Sequence, residues 1–185
     1  MNKAVFLDRD GTINIEKNYL YKIEDFEYTD GCVQALIDFQ NKGFLLFVIT
    51  NQSGIGRGLY TEEDFHKLNM WMISDLKKKG VNITKTYFCP HHPNAVVDEY
   101  RVDCNCRKPL LGMYFKAVEE YDIDLSKSFS IGDRISDCAI SKTTDCKSIL
   151  IGNFESNSTI FSVINGEVHN TIYRSTLFEC IGVIK

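Results

Sequence analysis

Two aspartates one residue apart, Asp8 and Asp10, end the short apolar run Val5-Phe6-Leu7 and are followed at once by Gly11 and Thr12. Extended backbone alternates its side chains, so both carboxylates are expected to face one way and Arg9 the other. Ionised carboxylates so close repel each other, and a hard divalent cation with oxygen ligands, Mg²⁺ by default, relieves the repulsion. Asp and Gly are also ordinary turn residues, so the pair alone reads equally as a polar turn. Two further stretches repeat the pattern. The apolar run 44–49 breaks into Thr50-Asn51-Gln52-Ser53-Gly54-Ile55-Gly56-Arg57-Gly58. A hydroxyl and nearby amides there could hold a phosphate oxygen, with glycines letting the backbone approach; the alternative is a plain glycine-rich loop before a helix. Residues 128–131 likewise end in Gly132-Asp133-Arg134-Ile135-Ser136-Asp137. Ligands of open α/β sheets bind beyond the carboxyl ends of the strands, where all three stretches put their polar groups.

A fourth stretch has the residue types of a metal site. Cys89-Pro90-His91-His92-Pro93 is followed, ten residues on, by Cys104-Asn105-Cys106-Arg107-Lys108-Pro109. Three thiolates and one imidazole would complete a closed tetrahedral zinc site, with Zn–S of about 2.3 Å and no open position for catalysis. Either His91 or His92 could supply the imidazole, and the spacing is not that of a standard zinc finger. A loop this long without helix or strand pattern needs something to hold it, which favours metal over incidental cysteines.

These groups require strands that end on one edge of a sheet. Lys3–Leu7 is expected to be the first strand, and residues 12–28, irregular and rich in Tyr, Phe, Asn and Lys, a flap beside the acids. Thr29-Asp30-Gly31 opens a helix with Val33, Leu36 and Ile37 on one face, stopped by Lys42-Gly43. The unbroken apolar run 44–49 suits a parallel strand buried on both faces. Thr61-Glu62-Glu63-Asp64 caps a helix whose Phe65, Leu68, Trp71, Met72 and Leu76 recur at helical spacing, Trp71 and Met72 being core residues. A strand over 81–88, a helix over 111–121 with Pro109 in its first turn, and a strand at 128–131 follow. Residues 156–185 read as a variable end with a last strand near Ile172-Tyr173 and a short helix from Ser175. The alternation implies an α/β fold, a three-layer Rossmann-like parallel sheet with helices on both faces.

Length and composition fit that fold. A chain of 185 residues is expected to form one domain, 1–185, with the metal loop 89–106 inserted, and can bury about 70% of its unfolded surface. The net charge of −4 leaves no footprint for nucleic acid, and the one tight basic run, Lys77-Lys78-Lys79, suits a helix end. No apolar stretch approaches 18 residues and no signal-like start is visible, so a cytoplasmic protein with no membrane partner, and a monomer, is expected. Seven cysteines, an odd number, then serve as metal ligands and small core residues rather than as disulfides.

Asp8-x-Asp10-Gly11-Thr12 after a hydrophobic strand resembles the first motif of the haloacid dehalogenase superfamily of phosphatases. Thr50, Lys108 and Gly132-Asp133-x-x-x-Asp137 resemble its second, third and fourth motifs, in order, over residues 5–137, and the resemblance weakens after Ile149-Leu150-Ile151. Asp-Arg-Asp-Gly-Thr-Ile-Asn, Thr-Asn-Gln-Ser-Gly-Ile-x-Arg-Gly, Cys-Pro-His-His-Pro and Cys-x-Cys-Arg-Lys-Pro together resemble the D-glycero-D-manno-heptose-1,7-bisphosphate 7-phosphatase family. Histidinol-phosphatase domains are related, with a shorter stretch between the histidine and the cysteine pair.

The resemblance implies a minimal cap formed by the zinc-bound loop, with structural Zn²⁺ held by Cys89, His91, Cys104 and Cys106; His91 is chosen because it stands in the family's matching place. It makes Asp8 the nucleophile and Asp10 the acid and base, with Mg²⁺ held by Asp8, the backbone carbonyl of Asp10, and Asp133. Thr50 and Lys108 would stabilise the transferring phosphoryl group and Arg107 would bind the far end of the substrate. Glu16, Lys17, Asn18 and Tyr19, with Asn51, Gln52 and Ser53, fall where the family contacts the sugar. Arg134, where many members have lysine, is grouped with them, its role open. Asp137 either supports the metal site from behind or stabilises the following helix. The implied activity is Mg²⁺-dependent removal of the 7-phosphate of D-glycero-D-manno-heptose 1,7-bisphosphate through an aspartyl phosphate. That reaction serves ADP- or GDP-heptose precursor synthesis for lipopolysaccharide or capsule. The alternatives are histidinol-phosphate hydrolysis, a phosphomutase-like transfer between sugar positions, and a zinc-stabilised binding module with vestigial acids.

Overall fold

The structure, a computed structural model, describes residues 1–152 and 171–185. Its strands are β1 (Lys3–Leu7), β2 (Phe44–Asn51), β3 (Ile83–Cys89), β4 (Phe129–Gly132), β5 (Lys147–Ile151) and β6 (Thr171–Arg174). They form one sheet in the order β3-β2-β1-β4-β5-β6, with every pairing parallel. The helices are α1 (Cys32–Asn41), the single turn α2 (Ser53–Gly56), α3 (Glu62–Lys78) and α4 (Gly112–Tyr121), with 3₁₀ turns between.

Strand alternation sorts the core into two layers. Val5, Leu7, Leu46 and Val48 pack with Leu36 and Phe39 of α1, Met72 and Leu76 of α3, and Leu177 and Cys180 near the end of the chain. Ala4, Phe6, Phe47 and Ile49, on the other face, pack with Met113, Tyr114 and Ala117 of α4. Helices thus cover both faces, as the apolar runs require. α1 buries Cys32, Ala35, Leu36 and Phe39, while Val33 and Ile37 of the expected stripe are only partly buried. α3 begins as expected, with Thr61 and Asp64 in a reciprocal capping box. Trp71 is partly buried against the first layer, its ring 5.2 Å from that of Phe26.

Register matters most for the site. Leu7 pairs with Val48 and with Ile131, so β1 lies between β2 and β4 and their carboxyl ends fall together. Asn51 pairs with Cys89, which brings the start of the metal loop beside the end of β2. The expected strands 44–49 and 81–88 are Phe44–Asn51 and Ile83–Cys89, and two further boundaries differ from the sequence reading. Pro109 lies ahead of α4, whose N-cap is Leu111, because residues 107–110 form a turn closed by Leu110 N–H donating to the Arg107 carbonyl. The closing helix is a 3₁₀ segment, Phe178–Gly182, after β6; the rest of the expected variable end lies outside the described residues. Among the described residues no helix is long and apolar enough to cross a membrane.

Candidate active site

Asp8 directly follows β1 and lies at the floor of a cleft of ≈ 400 Å³ beyond the sheet's carboxyl edge. Asp10, Glu16, Asn18, Tyr19, Asn51, Gln52, Ser53, Arg107 and Arg134 line the same cleft. Thr50, fully buried beneath it, and Lys17, which pairs with Glu27 at 3.2 Å, are not part of the lining. Tyr60, outside every motif, and Ser136, an unassigned position within the last one, line it as well.

Lys108 organises the floor. Its side chain is 2% exposed, and Nζ lies 2.9 Å from Asp8 Oδ1, 2.6 Å from Asp137 Oδ1 and 2.6 Å from the Ile49 carbonyl. Three acceptors match the three protons of an ammonium. Burial alone would lower the lysine's pKa, but the Asp137 and Asp8 carboxylates hold it above its ordinary value. Its backbone is fixed too: Asn51 Nδ2 donates to the Lys108 carbonyl and Lys108 N–H donates to Asn51 Oδ1, both at 3.0 Å. Asn51 therefore lines the cleft with its amide already engaged in holding Lys108.

Three carboxylates converge next to this ammonium. Oxygens of Asp8, Asp133 and Asp137 lie within 4.8 Å of one another. Burial pushes Asp8 up to about 7, against the pull of Lys108, and Asp133 up to about 6, with the Asp137 charge adding to the effect. Asp133 Oδ1 is buried with no hydrogen-bond partner. Clustered acids with an orphaned oxygen fit a hard divalent cation such as Mg²⁺. Asp137 joins the expected pair Asp8 and Asp133, and it also accepts from the Arg134 N–H at 2.9 Å, capping the 3₁₀ segment Ile135–Lys142. One side chain thus caps the segment and stands beside the other two carboxylates. A Cβ on Gly132 would overlap that carboxylate, and Gly11, at φ +80°, lets the backbone pass where a Cβ would strike Asp133.

The Asp10 carboxylate is absent from this cluster and accepts hydrogen bonds from Arg9, Asn14 and Gln52. The expectation that Arg9 turns away from the acids is corrected: its guanidinium folds back onto Asp10 at 2.9 Å. Strand alternation ends at Leu7, and a side chain as long as arginine can reverse direction beyond it. At the rim, Arg134 pairs with Glu16 at 3.2 Å.

The metal loop brings its four donors together. Cys89 Sγ is 3.1 Å from Cys106 Sγ and 3.7 Å from Cys104 Sγ, and His91 Nδ1 lies 3.3 Å from Cys106 Sγ. A tetrahedron with Zn–S of about 2.3 Å sets S···S at roughly 3.8 Å, which the Cys89–Cys104 pair matches and the Cys89–Cys106 pair falls short of, and the donor set is one that could hold zinc. His92 instead faces Arg57 at 3.0 Å. The glycines after β2 serve packing: a Cβ at Gly54 would strike Tyr60, while one at Gly56 would strike Pro90, and the Gly56 carbonyl accepts from Val96 and Val97, so Gly56 lets the metal loop dock.

The fold agrees with comparisons to known proteins. A family model described as polynucleotide kinase 3 phosphatase matches residues 3–159. A D-glycero-beta-D-manno-heptose-1,7-bisphosphate 7-phosphatase of Photorhabdus laumondii is 48% identical over 72% of this chain and 71% of its own. A D-glycero-alpha-D-manno-heptose-1,7-bisphosphate 7-phosphatase of Campylobacter jejuni is 45% identical over 83% and 84%. Among solved structures, D,D-heptose 1,7-bisphosphate phosphatase from B. bronchiseptica, complexed with magnesium and phosphate, superposes with a TM-score of 0.82 at 26% identity, covering 98% of this chain and 97% of that one.

Proposed function

Since the chain belongs to the D-glycero-D-manno-heptose-1,7-bisphosphate 7-phosphatase family, phosphoric monoester hydrolases of the haloacid dehalogenase superfamily, we propose that it removes the 7-phosphate of that bisphosphate through an aspartyl phosphate on Asp8. The observation that carries the chemistry is Asp8 at the cleft floor, paired with buried Lys108 and flanked by Asp133 and Asp137. Asp8 attacks phosphorus in line with the leaving alkoxide, and Asp10 gives that alkoxide a proton. Asp10 then takes a proton from water, whose oxygen displaces Asp8 from phosphorus and releases phosphate. Lys108 faces the equatorial oxygens, where fixed charge contributes most. Magnesium held by Asp8 and Asp133, with Asp137 close by, would neutralise phosphoryl charge when bound. Thr50 anchors Gln52, whose amide reaches the Thr50 hydroxyl at 2.9 Å. Arg107 and Arg134 at the rim suit the second phosphate, and the flap residues the sugar. Cytoplasmic heptose-precursor synthesis follows from the same reading.

A substrate panel tests it. Phosphate release should be fastest from one anomer of heptose 1,7-bisphosphate and at least tenfold slower from histidinol phosphate. Preference for histidinol phosphate, or phosphate moved between sugar positions without release, would replace this reading by one of its rivals.

We also assign the loop a structural zinc. Purified protein should contain about one equivalent, and Cys104→Ala should lower thermal stability and catalytic efficiency, because Arg107 and Lys108 directly follow Cys106. A zinc-free protein, or a Cys104→Ala variant unchanged in both respects, would remove this assignment.

A further inference from the structure

Arg9 is the bulkiest fully buried side chain among the described residues, 1% exposed. It lies inside a motif without being one of the motif's acids. Nε is 3.2 Å from each oxygen of Asp10, and Nη2 is 3.0 Å from Oδ1 and 2.9 Å from Oδ2. The guanidinium is held in turn, since Nη2 also donates to the Leu20 carbonyl at 3.0 Å and the group sits 5.6 Å from the centre of the Phe65 ring. Asn14 Nδ2 donates to Oδ1 and Gln52 Nε2 to Oδ2, each at 3.0 Å, holding the carboxylate from two further sides. Gln52 is itself anchored by the Tyr60 hydroxyl at 2.6 Å.

Stability alone does not account for this arrangement. Burying a guanidinium costs several kcal/mol, and an apolar side chain of similar volume is often as good or better. Nη1 has no hydrogen-bond partner, so the burial is not fully compensated even here. What Arg9 supplies that an apolar residue could not is a two-pronged grip on one carboxylate. That carboxylate must point at the leaving oxygen in one half-reaction and at water in the next, and an error of about 1 Å in placement costs on the order of 10²-fold in rate.

We propose that Arg9 is the positioning residue for Asp10, fixing its carboxylate for both proton transfers while its own protons stay in place. The proposal rests on the acid–base assignment of Asp10. Leaving groups separate the two half-reactions. p-Nitrophenolate departs from phosphorus without a proton, so forming the aspartyl phosphate from p-nitrophenyl phosphate needs little from Asp10, whereas its hydrolysis needs Asp10 as base.

Arg9→Met, assayed by rapid mixing with p-nitrophenyl phosphate and magnesium, should release close to one equivalent of p-nitrophenolate quickly. Turnover should then fall roughly 10²-fold, the scale of a misplaced general base. With the sugar bisphosphate, kcat should drop by a similar factor while KM stays within about threefold, because Arg9 contacts no substrate. Arg9→Lys, which keeps the charge without the fork, should lie between the parent and Arg9→Met. The double variant Arg9→Met/Asp10→Asn should be no slower than Asp10→Asn alone, since both remove one function. A merely structural arginine would instead reduce the burst amplitude and act additively with Asp10→Asn, overturning the proposal. Should Arg9→Met not fold, an Arg9→Lys protein identical to the parent in both phases would overturn it as well. Normal turnover by Arg9→Met beside a stalled Asp10→Asn refutes the proposal alone; normal turnover by Asp10→Asn refutes the acid–base assignment beneath it.

Discussion

Asp8→Asn is expected to lower kcat by roughly 10⁴-fold or more while leaving the fold intact, because an amide cannot form the covalent intermediate and loss of a nucleophile has effects of that size. The fold should tolerate the change. Burial pushes the Asp8 carboxyl up to about 7, so its ionised form is already disfavoured, and a neutral amide removes one of three crowded negative charges. The lost charge-assisted bond to Lys108 offsets part of that relief, and a melting temperature within a few degrees of the parent is the expected balance. Activity within tenfold of the parent, in protein with an unchanged melting curve, would place the nucleophile elsewhere.

Lys108→Met should damage both properties at once. Removing one partner of a buried ion pair costs about 3–5 kcal/mol, because the other is left uncompensated, and here two carboxylates are left. For a chain of this size that corresponds to roughly 6–20 °C in melting temperature. The Ile49 carbonyl would lose its donor as well. Catalysis should fall by about 10²–10³-fold even where the protein is folded, the usual effect of deleting a preorganised donor to a transition state. Differential scanning calorimetry and kcat measured well below the melting temperature separate the two effects. A variant as stable as the parent would mean that the contacts of Lys108 with Asp8 and Asp137 contribute no net stability.

Much of this was legible in the sequence because it depends on short-range order. A strand is an apolar run, and a run halted by Asp8, Thr50 or Gly132-Asp133 announces both a strand end and what it carries. The capping box at Thr61 was equally local. His91 was chosen over His92 on family likeness, and the donors do converge on it. The misjudged features are set by packing between distant segments. Arg9 turns back because Leu20 and Phe65, far along the chain, hold it there. Gly56 also makes room for Pro90, far along the chain, which its place in a glycine-rich stretch does not announce. Asp137 was divided between two roles because its spacing to Asp133 cannot show that Lys108 arrives from the opposite side.

The metal loop is pinned at both ends. Cys89 continues β3 beside Asn51, and Cys106 lies two residues before Lys108, which Asn51 grips through its backbone. The chain between, from His92 to Asp103, rests on the Gly56 carbonyl through the backbone amides of Val96 and Val97, with His92 against Arg57 and Tyr100 packed against the cluster that contains Tyr60. Because Asn51 fixes the Lys108 backbone at the far end, change within that interval need not displace the ammonium that meets Asp8. In evolutionary terms the interval is an exchangeable part: it can vary between its fixed ends while the reacting centre is inherited whole.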